Sequence, residues 1–304
     1  MNPINIQFTR LLRRPVAYSL AVGPFRLRVE SRIPAVIEGL EFFYSEKLQV
    51  KPFEFHDFHI KLAVPSGIRR WINPQVVFYF DGRAPFKPLP VDQAFAMFEW
   101  GMNWCISQHA HQYLMIHSAV AERHGRAVIM PGVPGAGKST LCAALINRSW
   151  RLFSDELALL SNDADMLTPL ARPVALKNES IDVIGRFAPD AQFGTVAYDT
   201  AKGTVSHLRP PLDSVRRVDE HARPSWIIFP RYKAGAECRL DATSKGKALM
   251  KIAENSFNYS LMAEKGFDIL TALVDSCDCY ELSYSRLDDA IAVLDSLAKE
   301  SVAQ

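Results

Sequence analysis

An excess of one charge, a cysteine framework and a long apolar run are all missing from this chain of 304 residues. Lys and Arg number 35 against 33 Asp and Glu, a formal charge of +2. Such balance provides no global field to draw nucleic acid or an anionic membrane. The five cysteines are Cys105, Cys142, Cys238, Cys277 and Cys279. They are odd in number and lack disulfide-framework spacing, which suits reduced thiols in the cytoplasm. Cys277-Asp278-Cys279 has no second Cys/His pair to complete the four ligands of a zinc site, and it reads as strand. No stretch approaches the roughly 18 apolar residues of a membrane helix. The basic run 9–14 followed by Val16–Val22 has the outline of a signal peptide, but Pro15 and Gly23 bracket a stretch at the short limit for one. A protein that stays in the cytoplasm is the expectation. The sequence shows no internal repeat and no low-complexity segment.

What is present is ample apolar and aromatic content, 48% and 11% of residues, enough for two cores in a chain of this length. Residues 16–88 read as β-rich. The stretches 25–30 and 56–64 alternate apolar and polar, and 75–82 is an apolar run ending in a turn signal. A helix then opens near Pro90. Its apolar face is Ala94, Met97, Phe98, Gly101, Met102, Cys105 and Ile106, and it ends near His109 and His111. Two histidines two apart point different ways on a helix and read as a solvated end. From Leu114 the pattern changes to alternating strands and helices, the mark of an α/β domain. Further strands are predicted at 225–232 and 279–284, and helices at 248–258 and 287–297. The stretch 194–223 is the nearest to a flexible segment. The predicted organisation is an N-terminal β-rich accessory domain with a linking helix over 1–113 and an α/β domain over 114–304.

The strongest signal lies inside the second domain. An apolar run, 127–130, is followed by Pro131 and then by Gly132, Val133, Pro134, Gly135, Ala136, Gly137, Lys138, Ser139 and Thr140. Gly132 to Ser139 matches G-x-x-x-x-G-K-[ST] in full, and a helix pattern continues after it. Strand, glycine loop and helix is the context that gives the motif its meaning. Glycines let the backbone wrap a polyphosphate so that N–H groups converge on it, and the helix adds its N-terminal N–H groups and dipole. Lys138 is placed for the β and γ phosphates of ATP and Ser139 for Mg²⁺. Downstream, 150–160 reads as one strand containing Asp155 and Glu156. Acids within an apolar strand need a cation or other partner. The other reading of this stretch is an acidic turn between two shorter strands.

These residues together resemble the P-loop domain of HPr serine kinase/phosphorylase. In that family a G-x-x-G-x-G-K-S loop is followed by a helix and an R-L-V-A-D-D strand. This chain has Arg151-Leu152-Phe153-Ser154-Asp155-Glu156, with Asp155 seventeen positions after Lys138, the family spacing. The family histidine on the strand before the loop is matched by His117, twenty-one positions before Lys138. The resemblance covers about 114–208 and implies an HPr-kinase-like P-loop domain. It also implies roles: Asp155 as the base toward a serine hydroxyl, His117 near the γ-phosphate, and Glu156 with Ser139 on Mg²⁺. Arg172 falls near the family's R-G-x-G segment, without its preceding glutamate or its glycines. Lys177 and Asn178 then become candidates for phosphate or substrate contact, as does Arg231. The implied activity is transfer of the γ-phosphoryl of ATP to a hydroxyl of a protein or peptide. The alternatives are a kinase acting on a free hydroxyl amino acid and a non-catalytic nucleotide switch or scaffold. Self-association is left open.

Overall fold

The computed structural model describes residues 16–67, 71–162 and 165–300. The basic run 9–14 lies outside them. The chain divides into two compact units. One is Met1–Gln108 with Phe193–His207, and the other is His109–Gln192 with Leu208–Gln304.

The first unit contains a six-stranded sheet ordered β3-β1-β2-β4-β5-β6. Its strands are β1 (Val16–Val22), β2 (Phe25–Ser31), β3 (Leu48–Gln49), β4 (Phe58–Ala63), β5 (Gln75–Phe80) and β6 (Leu89–Pro90). The apolar stretch 16–22 is thus a strand, paired antiparallel with β2. β2 buries Phe25, Leu27, Val29 and Ser31 and turns the residues between them outward, as its alternation predicts. The β-rich reading of 16–88 missed α1 (Pro34–Tyr44). This helix is the crossover that lets β4 pair parallel with β2, a connection a tight hairpin cannot make. Pro34 opens it, and Val36, Leu40, Phe43 and Tyr44 are its buried face. The long helix α2 (Ala94–His109) buries the predicted apolar stripe. Gly101 lies against Phe78, whose ring a Cβ would meet at 2.2 Å. Glu99, buried on the same helix, accepts a hydrogen bond from Tyr44 Oη at 2.6 Å.

The second unit starts with β7 (Leu114–Arg123) and β8 (Arg126–Pro131), then α3 (Lys138–Ile146), β9 (Arg151–Ser154), β10 (Leu157–Leu160), β11 (Leu167–Thr168), β12 (Val174–Lys177) and α4 (Glu179–Phe187). The chain returns to the first unit for the antiparallel hairpin β13 (Ala197–Thr200) and β14 (Gly203–Leu208). It ends in the second with α5 (Leu212–Arg216), β15 (Arg223–Tyr232), β16 (Arg239–Ala242), α6 (Lys245–Glu254), α7 (Tyr259–Ser276), β17 (Asp278–Tyr284) and α8 (Leu287–Glu300). The stretch 194–223 therefore carries regular elements where the sequence suggested flexibility.

The large sheet of the second unit runs β11-β10-β7-β8-β15-β17-β16, with β9 also on β7. β8, β15 and β17 are parallel to one another, and β7 is antiparallel to β8. Ala127 to Met130 are all fully buried, the mark of a strand covered on both faces. Ala127 and Ile129 share one core cluster with Ala248 and Ile252 of α6 and with Ile269, Leu270, Leu273 and Val274 of α7. Leu141 to Leu145 of α3 and Ala290 and Leu294 of α8 are buried as well. The unit is thus a mixed sheet with apolar helices packed on it, an α/β architecture. Among the described residues no helix is long and apolar enough to cross a membrane.

Candidate functional site

β8 ends at Pro131, and the loop 132–137 carries the chain into α3. Gly135 and Gly137 hold φ of 85° and 93°, left-handed conformations that cost a glycine little. At Gly137 space adds a second reason. A Cβ there would stand 2.7 Å from Tyr284 Oη and 3.3 Å from Tyr232 Cβ. Those tyrosines end the two strands parallel to β8. Tyr232 N–H donates to the Ala136 carbonyl at 3.3 Å, and Tyr284 Oη donates to the Gly137 carbonyl at 3.4 Å. The loop is therefore pinned by the sheet edge beside it. Lys138, Ser139 and Thr140 form the first turn of α3, whose N–H groups have no carbonyl a turn earlier within the helix.

Lys138 is buried, and its Nζ donates to the loop carbonyls of Gly132 and, at 3.3 Å, Val133. Burial pulls its pKa down. Asp155 and Glu156 oppose that shift, and the neighbouring Lys177 charge adds to it.

The sheet register gathers the other motif residues. Ser118 pairs with Pro131, so His117 stands beside the start of the loop. On the opposite edge of β7, Val120 pairs with Ser154 and His117 with Leu157. Asp155 and Glu156 therefore flank Ser118 and Ala119 of β7 from the other side. The stretch 150–160 is two strands, β9 and β10, separated by these acids. This corrects the expectation of a single strand and matches the acidic-turn alternative. Two consecutive acids in a buried ladder would have to place one in each apolar face. Instead the ladder is interrupted at the acids, with its register kept on either side, and Ser154 Oγ accepts the N–H groups of Glu156 (3.3 Å) and Leu157 (2.9 Å). His117 is half-buried and its ring lies 5.6 Å from that of Phe257. Its N–H donates to the Asn255 carbonyl at 2.7 Å.

Asp155 is the most unusual group here. It is buried, and its Oδ2 accepts the Ala175 N–H at 3.0 Å. Its Oδ1 is buried with no hydrogen-bond partner. Burial pushes its pKa up to about 7, with Glu156 adding. The Ser139 hydroxyl, the Ala175 amide and Lys177 hold it down. A buried carboxylate oxygen left unbonded is costly unless something else meets it.

Among the described residues no group of three or more His, Cys, Asp and Glu side chains is placed to hold a metal by itself. Mg²⁺ commonly takes only one or two carboxylates and draws its remaining ligands from phosphate and water. Ser139 and Glu156 are a donor set of that kind. Arg231 is exposed at the end of β15, at the same end of the sheet as the loop. Arg151 is committed elsewhere. It is buried against Glu122, which it bonds, and its Nη1 donates to the Arg217 carbonyl at 2.9 Å.

Sequence reasoning missed Tyr232, Tyr284 and the Ala175 amide. Tyr284 lies 147 positions from Gly137, and no local motif spans such a distance. Compared with known proteins, the chain matches no family model and no curated sequence.

Proposed function

We propose that the second unit is an ATP-dependent phosphotransferase of the HPr-kinase-like P-loop kind, acting on a hydroxyl, serine foremost, of a protein or peptide acceptor. The observation that carries this reading is Asp155. It is a buried carboxyl just past the end of β9, with one oxygen held by Ala175 and the other unbonded. A scaffold that merely held nucleotide has no need of a buried acid whose pKa sits near 7, whereas that value suits a general base at neutral pH.

In this reading Lys138 leaves the loop carbonyls for the β and γ phosphates, and the first turn of α3 adds its N–H groups. Ser139 and Glu156 would hold Mg²⁺, which supplies neutralisation of phosphate charge when bound. The acceptor oxygen forms a bond to the γ-phosphorus as the bond to the ADP oxygen breaks. The hydroxyl proton passes to Asp155. His117, beside both loop and acids, tunes the field on the transferred group. Catalysis is mostly positioning and charge stabilisation. Dependence on ATP fits a cytoplasmic protein.

The test is incubation with Mg²⁺ and ATP labelled in the γ-phosphate, together with cell extract and a panel of hydroxyl amino acids. Label is expected in a protein or peptide fraction, and Lys138→Ala should lower it by roughly a hundredfold. Label in free amino acids alone would move the acceptor class. No transfer to any acceptor, with Mg-ATP binding intact, would sink the phosphotransferase reading.

A further inference from the structure

Lys177 is a basic side chain near the loop that the steps above leave without a task. It ends β12, two residues after Ala175, whose amide holds Asp155. Val174 and Leu176 are buried while Ala175 and Lys177 are half-exposed. Strand alternation therefore sets Lys177 on the same face as Ala175. Its backbone is fixed on both sides. Ser180 Oγ accepts the Lys177 N–H at 2.8 Å and donates to the Lys177 carbonyl at 2.5 Å. The next residue, Asn178, holds φ 50° and ψ −129°, a conformation that persists only where the surroundings impose it and that clusters at ligand sites. The ammonium is close enough for its charge to bear on both Lys138 and Asp155. Among the described residues neither a hydrogen bond nor an ion pair takes it up. A half-buried cation held at an anion-binding loop, near a second cation, is placed for a ligand with more negative charge than one lysine can neutralise.

We propose that Lys177 is a phosphate-contacting residue that grips the γ-phosphoryl group from the β12 side, opposite the hold of Lys138. The proposal rests on the phosphotransferase reading and adds to it a residue that discriminates ATP from ADP. The transferred group spreads its charge over three equatorial oxygens, and a cation there meets the γ-phosphoryl group of ATP and nothing in ADP.

The experiment is calorimetric titration of the full chain with Mg-ATP and with Mg-ADP, using the parent, Lys177→Met and Lys177→Arg. Loss of one charge-assisted contact should weaken ATP binding about tenfold or more while ADP affinity stays within about twofold. Lys177→Arg should recover most of the ATP affinity. Should Lys177→Met fail to fold, Lys177→Gln carries the same comparison. Equal losses for both nucleotides, or no loss for either, overturn the proposal. A parent that binds neither nucleotide removes the phosphate-loop reading and the proposal with it.

Discussion

Asp155 joins stability to function in one carboxyl. Its ordinary pKa of 3.8 is raised to about 7 in the fold. Between those values the unfolded chain has lost the proton and the folded protein still holds it, so folding stability falls as pH rises. The favourable contribution is complete below about pH 4 and gone above about pH 7. At about 1.4 kcal/mol per unit, the cost of the ionised form approaches about 4 kcal/mol as an upper bound. Asp155→Asn removes the charge and nearly keeps the shape. It should melt higher than the parent at pH 8, with an advantage that shrinks toward pH 4. The same variant should bind Mg-ATP within a few-fold yet lose about 10² to 10⁴ in transfer rate, and the parent's rate should rise with pH through about 7. A variant that melts no higher at pH 8, or that transfers normally, removes Asp155 from the role of strained base. Lys138, Ser139 and Asp155 were legible because loop chemistry and a fixed spacing mark them. Tyr232 and Tyr284 were not, because their task is to back the loop from strands far away in sequence.

Elements differ in how plainly their sequences declare them. β2 and α2 were legible because each buries a clean stripe, at period two and at 3-and-4 spacing. α1 was not, since Phe42, Phe43 and Tyr44 favour strand and Gly39 weakens helix propensity. That glycine is required because a Cβ would meet the Phe95 ring at 2.1 Å, a demand invisible locally. α7 was missed because Leu261 and Phe267 are exposed and blur the apolar period. Ala263, at φ 49°, also breaks the helix within. The far end of α7 has a clear device. Lys245 Nζ donates to the carbonyls of Val274 (2.7 Å), Asp275 (3.3 Å) and Cys277. A cation there satisfies carbonyls that lack helical partners and meets the negative end of the dipole. Lys245 is largely exposed, so Lys245→Met should cost about 1 kcal/mol. The measurement is the urea midpoint with unchanged slope. An unchanged midpoint would mean that solvent replaces the cap without loss.

Over the whole molecule, the sequence reads as two consecutive stretches, 1–113 and 114–304, while the structure groups Phe193–His207 with the first unit. No local signal announces such a return, because its anchors lie far upstream. The Phe43 and Phe95 rings pack on His207, at 6.3 Å and 5.5 Å between centroids. Gln93 Nε2 donates to the Tyr198 carbonyl at 2.9 Å. The residues bounding the return belong to the second unit and meet each other. Arg209 N–H donates to the Gln192 carbonyl at 2.8 Å, and Arg209 Nη1 to Gln192 Oε1 at 2.9 Å. The segment between them is thus an excursion whose ends are already closed, and bridging such ends adds little loop entropy. This predicts how the second unit can be isolated. A chain of 109–304 that keeps 193–207 leaves that hairpin without Phe43, Phe95 and Gln93. It should bind hydrophobic dye and associate. The same chain with 193–207 replaced by a few Gly and Ser residues should stay monodisperse and still bind Mg-ATP, since the loop, Lys138 and Ser139 all remain. Scattering, dye binding and calorimetry on the two chains decide it. A monodisperse, folded short chain that does not bind Mg-ATP would mean that the first unit supplies part of the nucleotide site. Equal behaviour of the two chains would mean that the hairpin does not depend on the first unit.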